Sequence, residues 1–319
     1  MNTIYFLVQQ TMFFTIPLML VAIGGMFSER SGIINIALEG IMIMGGFCSI
    51  LFINLMQDTL SGQLLLILAI LIAMASGAVF SLLHAYASIN MKADQTISGT
   101  ALNLLAPALA VFMARMIQPS GVQQIPFKNT FRFDKVPFLG DIPVIGNLFF
   151  QNTYITTYLG IAILIISAIV LYKTKFGLRL RACGEHPQAA DAVGVSVYKM
   201  RYTGVAMSGA LSGLGGLIFV VTTSTNYNAN VAGYGFLALA VLIFGQWKPY
   251  RIASAALFFG FMKTISATYS SIPWLQGLNI TGYAYKMIPY IATLIVLIFS
   301  SKKSQAPKAE GIPYDQGAR

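Results

Sequence analysis

The chain has 319 residues, 56% of them hydrophobic and only 9% charged, with 20 Lys and Arg against 10 Asp and Glu for a formal net charge of +10. A mean hydropathy of +0.72 excludes an ordinary soluble domain and points to a chain folded across a membrane. It also removes nucleic acid as the reason for the positive charge, because short loops on the cytoplasmic side of membrane proteins carry such an excess.

The first stretch, MNTIYFLVQQTMFFTIPLMLV, lacks the basic lead and small-residue cleavage site of a secretory signal and reads as a retained span. Apolar runs near the length that crosses a bilayer then predict nine spans, at about 4–27, 36–56, 64–89, 96–118, 153–172, 202–222, 232–247, 252–271 and 282–300. The expected fold is an all-α polytopic bundle over 1–301 with a cytoplasmic tail at 302–319. Counts of eight to ten spans fit the same pattern. Basic residues alternate between the gaps. Arg30, Lys92, six in the loop 173–201, Lys248 with Arg251, and Lys302, Lys303, Lys308 and Arg319 share one side, while 57–63, 223–231 and 272–281 carry no Lys or Arg. The long gap 119–152 departs from this with Lys128, Arg132 and Lys135, and its many Pro and Gly read as a small extracytoplasmic cap. The alternation places the N-terminus outside and the C-terminus in the cytoplasm, which an odd span count satisfies.

Several spans carry interruptions. SERSGIINIALEG (28–40) is polar where a span should begin, QTISGTALNLLAP holds Gly99, Asn103 and Pro107, and SGALSGLGG (208–216) is dense in small residues. Small residues let helices pack closely, whereas broken backbone at membrane depth must line protein or a wet cavity. Ionisable and amide side chains at this depth are candidates for a transport pathway. Glu39 suits a ribose hydroxyl or base edge, or else serves as partner to Arg30 or to a neighbouring helix end. Asn35 and Asn103 suit a polar ligand or interhelical hydrogen bonds. Lys263 lies on the pathway or extends its stem outward, and Arg115 reads as extending outward. His84 reads as a satisfied packing residue. Tyr227, Tyr234, Tyr269, Tyr283 and Tyr285 near presumed outer ends suit an interfacial belt, with nucleobase stacking open for one or two. The uncharged outer loops 222–230 and 270–279 suit docking of a binding protein or plain solvated connection.

The loop 173–201 is the basic centre of the chain. Pro187 suits a first helical turn and Gly194 the residue past a helix end, so HPQAADAVG predicts a helix of about two turns outside the bilayer. Cys48 in an apolar run and Cys183 in this loop form no disulfide framework. No metal-ligand spacing is present, and His186 suits a cap or docking contact. GFMKT (260–264) lacks the spacing of a phosphate loop, so neither a cofactor site nor a catalytic residue is expected here. Two rival classes are an ion-coupled carrier with Glu39 as coupling site and an intramembrane enzyme, the latter opposed by two scattered histidines with no acidic cluster.

The segment from Gln188 to Gly194 resembles the EAA-x3-G coupling motif of ATP-binding cassette (ABC) importer permeases, with Gln in place of the first Glu. FGLRLRACGEHPQAADAVGVSVYKMRY, FSERSGIINIALEGIMIMGGF, ISGTALNLLAPALA and GFLALAVLIFGQWKP, in this order, together with GIPYDQG near the end, resemble permease subunits of bacterial nucleoside uptake systems. Those belong to the simple-sugar-type branch that includes ribose and galactose permeases. The resemblance implies a second permease chain, ABC ATPase subunits that hold ATP and Mg, and an extracytoplasmic substrate-binding lipoprotein. It further implies that Glu185, His186, Gln188, Ala189, Ala190, Asp191 and Gly194 dock in the ATPase groove, and that the cargo is a nucleoside, with a simple sugar as alternative.

Overall fold

The structure, a computed structural model, describes residues 2–118, 121–128, 131–271, 281–300 and 305–316. Most of the second expected docking loop (272–279) and residues 302–304 and 317–319 of the expected tail lie outside these. Long helices dominate: α1 (Asn2–Arg30), α2 (Leu38–Met56), α3 (Gly62–Ile89), α4 (Gln95–Ile117), α5 (Ile155–Lys173), the pair α6 (Lys175–Glu185) and α7 (Pro187–Ala192), α8 (Val197–Thr223), α9 (Tyr234–Phe244), α10 (Pro249–Thr268) and α11 (Gly282–Ser300). Among the described residues, α1, α2, α3, α4, α5 and α8 are long and apolar enough to cross a membrane. The protein is an all-α polytopic bundle, and α9, α10 and α11 occupy the last three expected span positions.

Helix α8 is the core of the bundle, buried along nearly its whole length against α1, α2 and α3. Lipid tails are as apolar as leucine, so helices associate in a bilayer through close packing rather than through escape from water. Gly213 makes that packing possible: a methyl group there would collide with the Ala73 carbonyl of α3, and one on Gly45 of α2 would lie 2.6 Å from the Gly213 carbonyl oxygen. The glycine run at 208–216 therefore packs an unbroken helix and does not interrupt one. Helix α4 is likewise continuous despite Pro107, starting where Asp94 accepts hydrogen bonds from the Thr96 and Ile97 amides at 2.8 and 2.9 Å.

Two other segments are interrupted. Residues 31–37 leave the helix between α1 and α2, and α9 has only 11 residues, about 16 Å at 1.5 Å per residue, roughly half the ~30 Å hydrocarbon thickness. The expected span 232–247 is thus a half-helix preceded by non-helical chain. Between α4 and α5, β2 (Arg132–Lys135) pairs antiparallel with β3 (Gln151–Tyr154), while β1 (Ile125–Pro126) pairs with β4 (Asn226–Tyr227), so the 119–152 insertion leans on the segment before α9.

Candidate functional site

Unwinding at 31–37 leaves backbone groups that apolar surroundings cannot satisfy, at several kcal/mol each. Side chains from three helices supply the partners. Gln95 Oε1 accepts from the Ile34 amide at 2.7 Å, and His84 Nε2 lies 2.8 Å from the Ile34 carbonyl oxygen with its Nδ1 3.1 Å from Ser98 Oγ. Asn103 bridges α4 to the start of α2, accepting from the Gly40 amide at 2.8 Å and donating to the Ile36 carbonyl at 2.9 Å. Asn35, fully buried, donates to Ser208 Oγ at 2.9 Å. Glu39 accepts from the Gly233 and Gly235 amides at 2.9 and 2.6 Å with its two oxygens. It is the anionic cap of α9, set where the positive end of that helix dipole lies. Asn35, Glu39 and Asn103 thus come together around one broken segment, each hydrogen-bonded to protein.

Lys263 stands apart from this cluster, half-buried on α10 with its ammonium 5.6 Å from the ring centre of Tyr234. Tyr234 is itself buried, packed on Phe219 with ring centres 4.4 Å apart. Tyr227 is buried too and donates to the Ile43 carbonyl at 2.6 Å. These two tyrosines are core residues rather than members of an interfacial belt, because the chain between α8 and α9 dips inward and carries them with it. Tyr283, by contrast, is 80% exposed. At the mouth of that dip, Phe219, Thr223, Ser224, Asn226 and Asn230 line a hollow of about 190 Å³ with no ionisable group except the Tyr227 phenol. Arg115 is exposed and donates to Gln123 at 3.3 Å.

At the opposite end, α6 and α7 follow one another with only His186 between them. Pro187 opens α7, and Gly194, at φ +82°, closes it. The Gly194 amide donates to Asp191 O at 2.9 Å and the Val195 amide to Ala190 O at 3.0 Å, the paired bonds of a Schellman cap. His186, Gln188, Ala189 and Gly194 face outward, Asp191 and Glu185 are half-buried, and Ala190 points inward onto Cys183, Val197 and Tyr314. Glu185 pairs with Arg30 at 3.7 Å. Val193, 78% exposed, and Leu178, 62% exposed, add apolar surface to this face.

Sequence reasoning missed a second cluster beside it. The turn between α9 and α10 holds Gln246 and Trp247 at φ 52° and 53°, a region costing non-glycine residues about 1–2 kcal/mol each. Neighbours hold it there: Arg30 donates from Nε and Nη2 to the Trp247 carbonyl at 3.3 and 3.1 Å, and Trp247 Nε1 donates to Glu29 Oε2 at 2.5 Å. The Glu310 carboxyl of the C-terminal segment meets Glu29, and burial pushes it up to about 7 despite the opposing pull of the Glu29 contact and of Arg30. The signal in the sequence was the pair of acids at 29 and 310, the first in the 28–40 stretch read as an interrupted span and the second just before GIPYDQG. Among the described residues, no group of three or more His, Cys, Asp or Glu could hold a metal ion.

Residues 7–297 match the family described as the branched-chain amino acid transport system permease component. The chain is 46% identical to the guanosine ABC transporter permease protein NupQ of Bacillus subtilis, over 98% of this chain and 97% of that one. It is 42% identical to the nucleoside ABC transporter permease protein NupC of Lactococcus lactis, over 98% of both, and 28% identical to a putative glucose ABC transporter permease protein, TsgC13, of Haloferax volcanii, over 91% of this chain and 89% of that one. No solved structure matches.

Proposed function

The chain belongs to the family of the branched-chain amino acid transport system permease component, and on that premise we propose that it is the multi-pass permease subunit of an ABC importer that moves nucleosides inward. The full-length likeness to two permeases whose names specify guanosine or nucleosides carries the substrate class. The protein is not an enzyme; ATP and Mg belong to separate ATPase subunits. In this reading the complex also holds a second permease chain and an extracytoplasmic binding lipoprotein. The N-terminus and the 119–152 cap face outward, and the loop 173–201 and the C-terminus lie in the cytoplasm.

The division of labour follows from the two ends of the bundle. At the cap end, the 190 Å³ hollow offers hydroxyl and amide groups from Thr223, Ser224, Asn226 and Asn230, which suit a neutral, hydroxyl-rich ligand. At the basic end, α7 shows His186, Gln188, Ala189 and Gly194 to solvent, with small residues that let an ATPase groove approach closely. Glu39 is bonded through both oxygens, which favours a structural carboxylate over an ion-coupling one. Asn35, Asn103 and Lys263 remain pathway residues in this proposal through the elements they hold. The test is uptake of radiolabelled uridine, adenosine and ribose by the complete system, with and without an active ATPase and with the ion gradient collapsed. Nucleoside uptake that needs the ATPase and survives collapse is expected. Uptake of ribose alone would move the assignment to a sugar, and uptake that ignores the ATPase would overturn it.

A further inference from the structure

We propose that residues 305–315 form a strap that ties the coupling segment α6–α7 to the inner ends of α1 and α9, with Tyr314 as the residue that positions α7. The inference rests on the coupling role proposed for α7. Three backbone contacts lay the strap across the basic end. The Gln305 amide donates to Gln246 Oε1 at 2.9 Å in the α9–α10 turn, the Ala309 amide to the Gly184 carbonyl at 2.8 Å near the end of α6, and the Gly311 amide to the Gly32 carbonyl at 3.1 Å just past α1. Three separate elements are joined by seven residues of one segment, which turns at 308–311.

Beyond these bonds, Tyr314 is a wedge. Its side chain is 5% exposed and shares a cluster with Cys183 of α6, Ala190 of α7 and Val197 of α8, and it packs edge-on to Tyr198 at 5.6 Å between ring centres. The Asp191 carboxylate of α7 lies beside its hydroxyl, and the Arg201 guanidinium stands 6.0 Å from its ring centre. Arg201 is buried, with Nε and Nη2 meeting no hydrogen-bond acceptor among the described residues, so the ring face shields a cation that would otherwise need water. Lys92 closes the end of the strap on Asp315 at 3.0 Å. Ala190, buried on the inner face of α7, therefore rests on a side chain carried by the C-terminal segment.

A continuous route follows. Movement of α7 bears on Tyr314, passes along the strap to Gly32 and Gln246, and reaches α9, whose far end is held by Glu39. Without the strap, α7 moves while α9 stays, and ATP is hydrolysed without transport.

The experiment measures nucleoside uptake and ATP hydrolysis together in the complete reconstituted transporter. Tyr314→Ala is expected to lower uptake per ATP at least fivefold while the complex assembles and hydrolyses ATP, and Tyr314→Phe, which keeps the wedge, to restore the ratio. Gly311→Val reaches the same seat differently: its φ of +76° and the nearby Ile34 Cδ1 forbid a branched side chain without displacing the strap. It serves as the second variant should Tyr314→Ala not assemble. An unchanged uptake-to-ATP ratio in whichever variant assembles overturns the strap. Gly194→Val, run alongside, alters α7 but not the strap; if it too leaves the ratio unchanged, the coupling role of α7 itself is wrong.

Discussion

Single side chains here decide whether broken backbone can exist inside the bundle. Glu39 gives α9 its start: the amides of Gly233, just before the helix, and Gly235, in its first turn, have no partner within the helix, and both bond its carboxylate. Glu39→Ala orphans both, at about 1–3 kcal/mol each, and is expected to lower the thermal midpoint of the purified protein by several degrees and to abolish uptake. Glu39→Gln keeps one acceptor oxygen and should fall between. Wild-type melting for Glu39→Ala would show that α9 does not depend on this cap. Glu310 makes the basic end sensitive to pH. Its seated pKa, about 7, is raised above the ordinary 4.5 by burial, so the seated form binds a proton more tightly than the released one. Seating is favoured below about 4.5, weakens as pH rises toward 7, and is constant above that. Facing it are Glu29 and Arg30, with the Trp247 indole on Glu29; both neighbours favour the ionised Glu310 carboxylate, but burial outweighs them, so loss of its proton loosens the seat. In a Trp274→Phe background, Trp247 emission should shift to the red between pH 5 and 7.5, and Glu310→Gln should flatten that curve. A pH-independent emission in the parent would remove Glu310 as the titrating group.

Among the elements, α8 and α9 show opposite uses of small residues. On α8 they remove side chains so that helix backbones touch; at the start of α9, Gly233 at φ +76° and Gly235 expose amides to Glu39. The two uses read alike in sequence, as Gly within an apolar run, and only the neighbours tell them apart. Thus 208–216 was open between packing and a break, and it packs, whereas AGYG at 232–235 does open a half-helix. The same limit applies to polar residues. That 28–40 is interrupted was legible from Ser, Gly and Asn at span depth, but the groups that satisfy it come from Gln95, His84, Asn103 and Ser208, 60 or more residues away along the chain in most cases. Packing at α8 makes a sharp prediction. Gly213→Val drives a branched side chain into the Ala73 carbonyl, and helices cannot separate locally without opening the contacts of α2 and α3 as well. No monodisperse protein is expected on size-exclusion chromatography in detergent, while Gly209→Ala, beside the movable Ser81 side chain as well as the Gly77 carbonyl, tests whether the same row tolerates a methyl at a milder cost of about 1–3 kcal/mol. A Gly213→Val protein that elutes like the parent would show that the α3–α8 contact is not close.

For the whole molecule, the legible quantities were those that average over many residues. Hydropathy placed the spans, and charge alternation proposed their sidedness, because both effects sum along the chain. The C-terminal seat was not legible: Tyr314 and Glu310 meet Ala190 and Glu29 only once every helix is in place, and no period or spacing records such contacts. Sidedness itself is a prediction of the whole assembly, since one reversed span would invert everything after it. The lone exception in charge, the 119–152 segment with Lys128, Arg132 and Lys135, is the place to test it. Both lysines are neutralised locally, Lys128 by Asp58 at 2.9 Å and Lys135 by Asp141, which reduces the positive charge that must cross during insertion. Phe138 in this segment is 91% exposed and Val193 beside α7 is 78% exposed, so both report access without disturbing the core. With Cys48 and Cys183 replaced by Ala, a cysteine at 138 should react with a membrane-impermeant maleimide on intact cells, and one at 193 only after the cells are opened. The reverse pattern would invert the topology, and labelling of both in intact cells would mean that α5, the one expected crossing between them, does not cross the membrane.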